Sequence, residues 1–190
     1  MNLNLYTIEN AYIEYLRGYE KLANVFDNKE LEDSKCRKYL GVVLSIGKYR
    51  YYAPLSSPKS SDYIISGEEK VIRKSIIPII RITGKGKDGK TELKGTLKLS
   101  NMIPVPDNVI TYYDVAKETD RDYKILIQKE YDFIKKNEKK VIKYAHVLYN
   151  QKTKENKIFT EGKKPKYLEE VVDFRFAEQI SEKYNLSGEK

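Results

Sequence analysis

Tryptophan is absent from this chain, and histidine and cysteine each occur once. Each shortage removes a class of chemistry. The lone Cys36 cannot form an internal disulfide, and no metal-ligand spacing surrounds it. The lone His146 excludes a ribonuclease that works through two histidines. A Ser-His-Asp hydrolase would need His146 as its base, and the chain has no GxSxG elbow. His146 reads instead as a helix-end residue. Carboxylates form no compact cluster, so neither a metal nor a cofactor is expected. No apolar run approaches the ~20 residues that span a bilayer. The first ten residues, MNLNLYTIEN, lack the basic start and apolar core of a signal peptide. The expected compartment is the cytoplasm.

What is present is charge and tyrosine. The 190 residues are 34% charged and 40% hydrophobic, enough for one domain with a real core. Net charge is +8, from 36 Lys and Arg against 28 Asp and Glu. The excess is uneven: Met1 to Ile46 holds six basic and seven acidic residues, Lys70 to Lys98 nine basic and two acidic. A clustered basic face attracts phosphate backbones; the plainer reading is a solvated lysine-rich surface. Seventeen tyrosines could stack on unpaired bases, although most should be core or strand residues.

Periodicity sets out the elements. Leu3 to Ile8 alternates as a strand. Tyr12, Ile13, Leu16, Tyr19 and Leu22 give helical spacing from about Glu9 to Leu22, with Thr7 or Asn10 as cap and Gly18 weakening or ending the helix. Asn24 to Lys35 reads as a polar loop. Leu40 to Ile46 and Tyr49 to Ala53 read as two strands joined by a tight turn at Gly47-Lys48, with Pro54 ending the ladder. Ser60 to Lys70 reads as polar turn. Val71 to Thr83 is a β-type run in which Pro78 suggests an edge or bulge, and Thr91 to Leu99 returns. Between them GKGKDGK lacks Walker spacing and leads into a strand, so it is a hairpin loop and not a phosphate cradle. Asn101 to Asp107 is a proline-punctuated crossing. Lys117 to Lys143 is the strongest helical signal, capped by Thr119 or Asp120. Residues 150–166 read as a flexible loop, and a second amphipathic helix closes the chain at residues 167–186. The expected fold is α+β: a compact, strongly curved antiparallel sheet or small barrel with packed helices, as one domain over residues 1–190.

The segment after Pro54, Leu55-Ser56-Ser57-Pro58-Lys59, sets two hydroxyls and one ammonium at the mouth of the hairpin. Loops carried by a rigid scaffold are where function concentrates. A site of hydroxyl, ammonium and guanidinium groups suits RNA cleavage, because RNA brings its own nucleophile. The 2′-OH attacks the adjacent phosphate, and the protein need only align it and stabilise the charge. Ser56 and Ser57 can donate to non-bridging oxygens. Lys59 can neutralise the phosphate or move a proton, and Arg37 could reach the same phosphate. Tyr6, Tyr49 and the cations Lys38, Lys48, Arg50, Lys85, Lys87 and Lys90 are the expected RNA-binding residues. Two other readings stay open: a non-catalytic RNA-binding module, and a protein-interaction domain with surface lysines.

Six stretches, the Ser56–Lys59 loop among them, carry a resemblance in the right order. Leu5-Tyr6-Thr7-Ile8 is followed by Tyr12-Ile13-Glu14-Tyr15-Leu16. Tyr39-Leu40-Gly41-Val42-Val43-Leu44 is followed by Tyr52-Ala53-Pro54-Leu55-Ser56-Ser57-Pro58-Lys59. Asn101-Met102-Ile103-Pro104-Val105-Pro106 and Tyr131-Asp132-Phe133-Ile134-Lys135-Lys136-Asn137 come after. Over roughly residues 5 to 140 these resemble the ToxN/AbiQ endoribonuclease toxins of type III toxin–antitoxin systems. The resemblance implies a Kid/MazF-related sheet and metal-independent, sequence-selective cleavage of cellular and phage mRNA, leaving 2′,3′-cyclic phosphate. It implies inhibition by a small structured antitoxin RNA, pseudoknot-like and made of tandem repeats, which the toxin cuts into units and joins in a closed protein–RNA assembly. It also implies abortive infection of phage-attacked cells. By position it assigns the catalytic roles to Ser56, Ser57, Lys59 and Arg37. Arg37 stands where some relatives carry lysine; a guanidinium cannot serve as base, so its implied role is phosphate stabilisation.

Overall fold

The computed structural model describes residues 3–28, 36–86, 88–160 and 163–188. Its strands are β1 (Asn4–Ile8), β2 (Tyr39–Ile46), β3 (Tyr49–Ser56), β4 (Tyr63–Ser66), β5 (Glu69–Ile72), β6 (Ile79–Lys85), β7 (Thr91–Lys98), β8 (Ile103–Pro104) and β9 (Ile110–Tyr112). Its helices are α1 (Asn10–Arg17), α2 (Arg121–Lys136), α3 (Glu138–Thr153), α4 (Glu155–Ile158) and α5 (Phe174–Gly188).

Seven strands make one antiparallel sheet in the order β6-β7-β3-β2-β1-β9, with β8 also paired to β3. β6 and β9 are its two ends, so among the described residues the sheet is open and not a closed barrel. β4 and β5 form a separate hairpin. No helix among the described residues is long and apolar enough to cross a membrane.

β3 is the strand everything else pairs around. β2 runs along one side of it. On the other side β8 takes Tyr51 and Tyr52, and β7 takes Leu55 and Ser56. Pro54 sits where that neighbour changes. The Leu55 N–H donates to the Lys38 carbonyl at 2.9 Å, on the β2 side. Backbone donors alternate sides along a strand. The donor that Pro54 lacks would therefore have pointed into the gap between β8 and β7. This is why the strand does not stop at Ala53 as the sequence suggests, but continues through Pro54 to Ser56.

The helices cover the sheet. α2 packs on β6 and β7, α3 on β2, and α5 on β8 and α1. Asp120 caps α2, its Oδ1 accepting from the Tyr123 N–H at 2.9 Å. α1 ends at Gly18, whose N–H closes on the Glu14 carbonyl at 2.9 Å. Its cap residue is Glu9, without a side-chain bond, and neither Thr7 nor Asn10. Tyr12, Tyr39, Tyr51 and Tyr52 lie fully inside. Their rings contribute apolar area, and three of the hydroxyls find acceptors: Pro104 carbonyl at 2.6 Å for Tyr12, Asn28 at 3.1 Å for Tyr39, Glu178 at 2.9 Å for Tyr51.

Several boundaries differ from the periodicity. The long helical signal breaks at Asn137, whose side-chain amide donates to the Phe133 carbonyl at 2.8 Å, so two helices replace one. The second runs to Thr153, and α4 follows inside the segment read as loop. His146 is exposed within α3 and not at a helix end. The closing helix begins only at Phe174, after a 3-10 turn at Lys166–Glu169. The polar stretch after Lys59 holds the β4–β5 hairpin, on which Ile64, Ile65 and Val71 are exposed. Part of the polar loop before Cys36 lies outside the described residues.

Candidate active site

Strand register builds the site. Ser56 pairs with Thr96, and Thr96 pairs with Arg81. On the other flank Tyr39 pairs with Pro54, so the same register sets Arg37 beside Ser56. Directly paired residues share a face. One face thus carries a row of four polar residues across four chain segments: Arg37, Ser56, Thr96, Arg81. The adjoining row on that face is Tyr39, Pro54, Lys98 and Ile79.

The loop after Ser56 folds back onto this face. A 3-10 turn at Ser60–Asp62 brings Asp62 under it. Asp62 Oδ2 accepts the Lys59 N–H at 3.0 Å, and Oδ1 pairs with Arg81 Nη2 at 3.1 Å. Asp62 is 1% exposed and Arg81 6%, so the pair lies away from solvent. Arg81 Nη1 also donates to the Lys74 carbonyl at 2.8 Å, while its Nε is enclosed without a partner.

Above this pair the proposed site is part exposed and part buried, with Ser56 only 8% exposed. Ser57 and Lys59 are exposed. The Ser56 hydroxyl has only a 3.5 Å contact to the Ser57 carbonyl, at the limit of a hydrogen bond. Lys59 Nζ forms no ion pair among the described residues and stands 5.7 Å from the centre of the Phe26 ring. Arg37 Cζ lies against the same ring at 4.8 Å. An aromatic face attracts cations without neutralising them, and no carboxylate among the described residues pairs with Lys59.

Arg37 has a different place from the one expected. It is 8% exposed, and its donors are committed to the protein. Nε donates to the Asp27 carbonyl at 2.7 Å, Nη1 to the Leu55 carbonyl at 3.0 Å, and Nη2 meets Asp27 Oδ1 at 3.4 Å. It ties residues 27–28 to the end of β3 and adds charge from below.

The expected RNA contacts separate into groups. Lys38 is buried, its ammonium donating to the Cys36 carbonyl at 2.8 Å and lying 4.5 Å from the Tyr113 ring centre. Burial pulls its pKa below the usual lysine range, against the opposing pull of Cys36 and Glu118. It is therefore not a surface contact. Tyr6 packs edge-on against Tyr52 at 5.3 Å and Tyr112 at 6.0 Å. Lys48, Tyr49 and Arg50 stand at the opposite end of β3 from Ser56, roughly 23 Å away at ~3.3 Å per residue. Glu182 binds Lys48 at 2.8 Å and accepts from Tyr49; Asp107 pairs with Arg50. The three line a cavity of about 280 Å³ with Pro104, Ser181 and Asn185. Lys85 and Lys90 are exposed at the β6–β7 tip, beyond the Ser56 end of β3. Lys87 lies outside the described residues. Sequence reasoning missed Phe26, Asp62, Arg81, Thr96 and Lys98: strand register brings Arg81, Thr96 and Lys98 to the site, the 3-10 turn brings Asp62, and Phe26 comes from the segment after α1.

With this geometry in place, comparison with known proteins is informative. Residues 4–182 match the family described as toxin ToxN of type III toxin–antitoxin systems. An endoribonuclease ToxN from Bacillus thuringiensis subsp. kurstaki is 30% identical over 186 residues, covering 96% of this chain and 84% of the relative. The endoribonuclease AbiQ of Lactococcus lactis subsp. lactis is 27% identical, covering 97% and 91%. A solved type III system, described as selective toxin inhibition by a non-coding RNA pseudoknot, superposes with a TM-score of 0.71 at 26% identity, over 97% of this chain and 99% of that one. The AbiQ structure, described as a lactococcal anti-phage endoribonuclease, has the same fold, with a TM-score of 0.74 at 23% identity over 97% and 99%.

Proposed function

The chain belongs to the ToxN toxin family of type III toxin–antitoxin systems and is an endoribonuclease, and from that premise we propose that it cuts RNA at the Ser56–Lys59 corner without a metal. The 2′-OH of the nucleotide before the cut attacks the adjacent phosphorus, the 5′ oxygen leaves, and a 2′,3′-cyclic phosphate remains. Ser56 and Ser57 donate hydrogen bonds to the non-bridging oxygens, and Lys59 neutralises the charge that grows on them. Arg37 fixes the end of β3 and contributes field, not a direct bond. Cleavage is sequence-selective, the bases being read by residues around this corner and by the Lys85–Lys90 tip. The observation that carries the reading is the pairing of uncommitted hydroxyls with an un-neutralised ammonium over Phe26.

The partner that restrains it is a small structured RNA. The solved neighbour inhibited by an RNA pseudoknot supports this at 26% identity. The RNA is built of repeats that the toxin itself cuts, and the two close into one assembly. The role is abortive infection, with cellular and phage mRNA as substrate in the cytoplasm. The open sheet is the counterpart of a Kid/MazF core, which superposition on such a toxin checks.

Controlled expression of wild type and Ser57→Ala in a bacterium, followed by mapping of RNA ends, tests the enzyme. Growth arrest with new ends at one recurring motif, absent in the variant and resistant to EDTA in vitro, is the expected result. RNA binding without new ends would make the chain a non-catalytic RNA-binding module.

A further inference from the structure

Lys98 is a lysine that the reading so far leaves unused. It ends β7, two residues beyond Thr96, so it shares the face that carries Ser56, Thr96 and Arg81. The register that pairs Leu55 with Leu97 sets it across from Pro54, one row inside Ser56. Only 8% of it is exposed. Its ammonium makes no hydrogen bond or ion pair among the described residues. A buried lysine is ordinarily paired, so this one stands out. Its Nζ is not among the fully enclosed atoms that lack partners, as Arg81 Nε is, and the charges of the site's own Lys59, Asp62 and Arg81 act on it.

The charged groups that face it come from three directions. Asp62, beneath the loop, and Glu170, after the Lys166–Glu169 turn, favour its ammonium. Lys59 from the loop and Arg81 from β6 oppose it. Burial is the largest influence and acts with the two cations, so the pKa of Lys98 falls below the usual lysine range. The chain therefore keeps two lysines at one corner in different surroundings: Lys59 exposed on the loop and Lys98 desolvated on β7.

We propose that Lys98 is a further catalytic residue, the general base that takes the proton from the attacking 2′-OH. This rests on the RNA-cleaving reading above. In the step, the 2′-O–H bond breaks and its proton moves to the neutral Lys98 Nζ. The 2′-oxygen forms a bond to phosphorus, and the bond from phosphorus to the 5′ oxygen breaks. That oxygen leaves with its electron pair and takes a proton from water. The Lys98 ammonium then returns its proton to the hydroxide so formed. Lys59 stays charged throughout and holds the non-bridging oxygens. A lowered pKa raises the fraction of free amine at neutral pH, which is what a base needs.

The experiment is single-turnover cleavage of an end-labelled bacterial mRNA transcript across pH, with wild type, Lys98→Arg and Lys98→Met. Wild type comes first: if it does not cut, the RNA-cleaving reading fails and the role of Lys98 with it. Where it cuts, its rate is expected to rise about tenfold per pH unit and level off below the ordinary lysine value of about 10.4. A flat profile overturns the proposal. Lys98→Arg places a permanent cation there that cannot give up its proton, and is expected to lose ~10²-fold or more in rate. Its RNA affinity by filter binding should stay within about threefold of wild type. Lys98→Met should show the same loss. If Lys98→Arg cuts at close to the wild-type rate, Lys98 supplies only charge and the proposal is wrong. Full activity in Lys98→Met refutes it equally. Where neither variant folds, the wild-type pH profile decides.

Discussion

Asp62 grips Arg81 with one carboxylate oxygen at 3.1 Å and the backbone N–H of Lys59 with the other at 3.0 Å. One buried side chain thus holds both Arg81 on β6 and the backbone of Lys59, the residue proposed to meet the phosphate. The loop after β3 is short, and without this link Lys59 would be free to turn away from Ser56. The pair is costly to desolvate, so its value lies in position and not in net stability.

Removing Asp62 leaves Arg81 charged inside the protein. Asp62→Ala is therefore expected to lose about 3–5 kcal/mol of stability. The double variant Asp62→Ala with Arg81→Met should recover part of that loss, because no charge is left stranded. Urea unfolding of the single and double variants measures this. Simple additivity of the two single losses would show that the two side chains are not coupled.

Lys59 behaves in the opposite way. It is exposed and in no ion pair among the described residues, so Lys59→Ala should change stability by less than about 0.5 kcal/mol. RNA cleavage should fall by ~10²-fold or more, because the charge it opposes develops in the transition state. A variant that still cuts at the wild-type rate would move the site elsewhere.

Glu130 predicts a pH dependence. It is buried on α2, and burial alone raises its pKa from 4.5 to about 8. The folded state therefore holds a proton that the unfolded chain has lost above about pH 4.5. Stability is full below that point and declines as pH rises toward about 8, where the folded carboxyl also ionises. Glu130→Gln cannot ionise, so it should flatten this decline and gain on the order of 1–3 kcal/mol at pH 8. Thermal unfolding at several pH values reads it. An unchanged slope in the variant would mean that Glu130 is not the group responsible.

Gly95 explains how that carboxyl fits. A Cβ there would run into Glu130 Oε1 and stand 3.3 Å from the Ser56 carbonyl. Gly95→Ala is expected to cost about 1–3 kcal/mol and to disturb the end of β3 that carries Ser56. Pairing it with Glu130→Ala, which clears the space, should return part of the loss. A cycle with zero interaction energy would contradict the contact.

The parts of this protein that could be read directly are those with local causes. A nearly continuous apolar run before Gly47-Lys48 and an aromatic-rich one after it give the hairpin of β2 and β3. Asp120 is one of the two caps the sequence offers for α2, and Gly18 ends α1 short of the Leu22 that the periodicity reaches. Other elements hid because their signals are averaged away. α3 buries Val141, Ala145, Leu148 and Tyr149, a stripe broken by lysines and an alanine. The β4–β5 hairpin leaves Ile64 and Ile65 exposed, so its alternation does not mark a buried face.

The hydroxyls of Ser56 and Ser57 and the ammonium of Lys59 were legible because they are neighbours in the chain, and neighbours stay together in any fold. Composition set the basic excess, and the shortage of histidine and cysteine narrowed the chemistry. What only the tertiary structure decided is who surrounds them. Arg81 and Lys98 reach Ser56 through strand register, where a slip of one residue would turn each to the other side of the sheet; Asp62 arrives on a 3-10 turn, and Phe26 lies against Arg37 and Lys59. Tertiary packing likewise buries Lys38, expected to bind RNA, and Arg37, expected to reach the phosphate, and commits both to carbonyls of the protein. Charge in a sequence says that a cation exists; burial and hydrogen-bond partners decide whether anything outside the protein can use it.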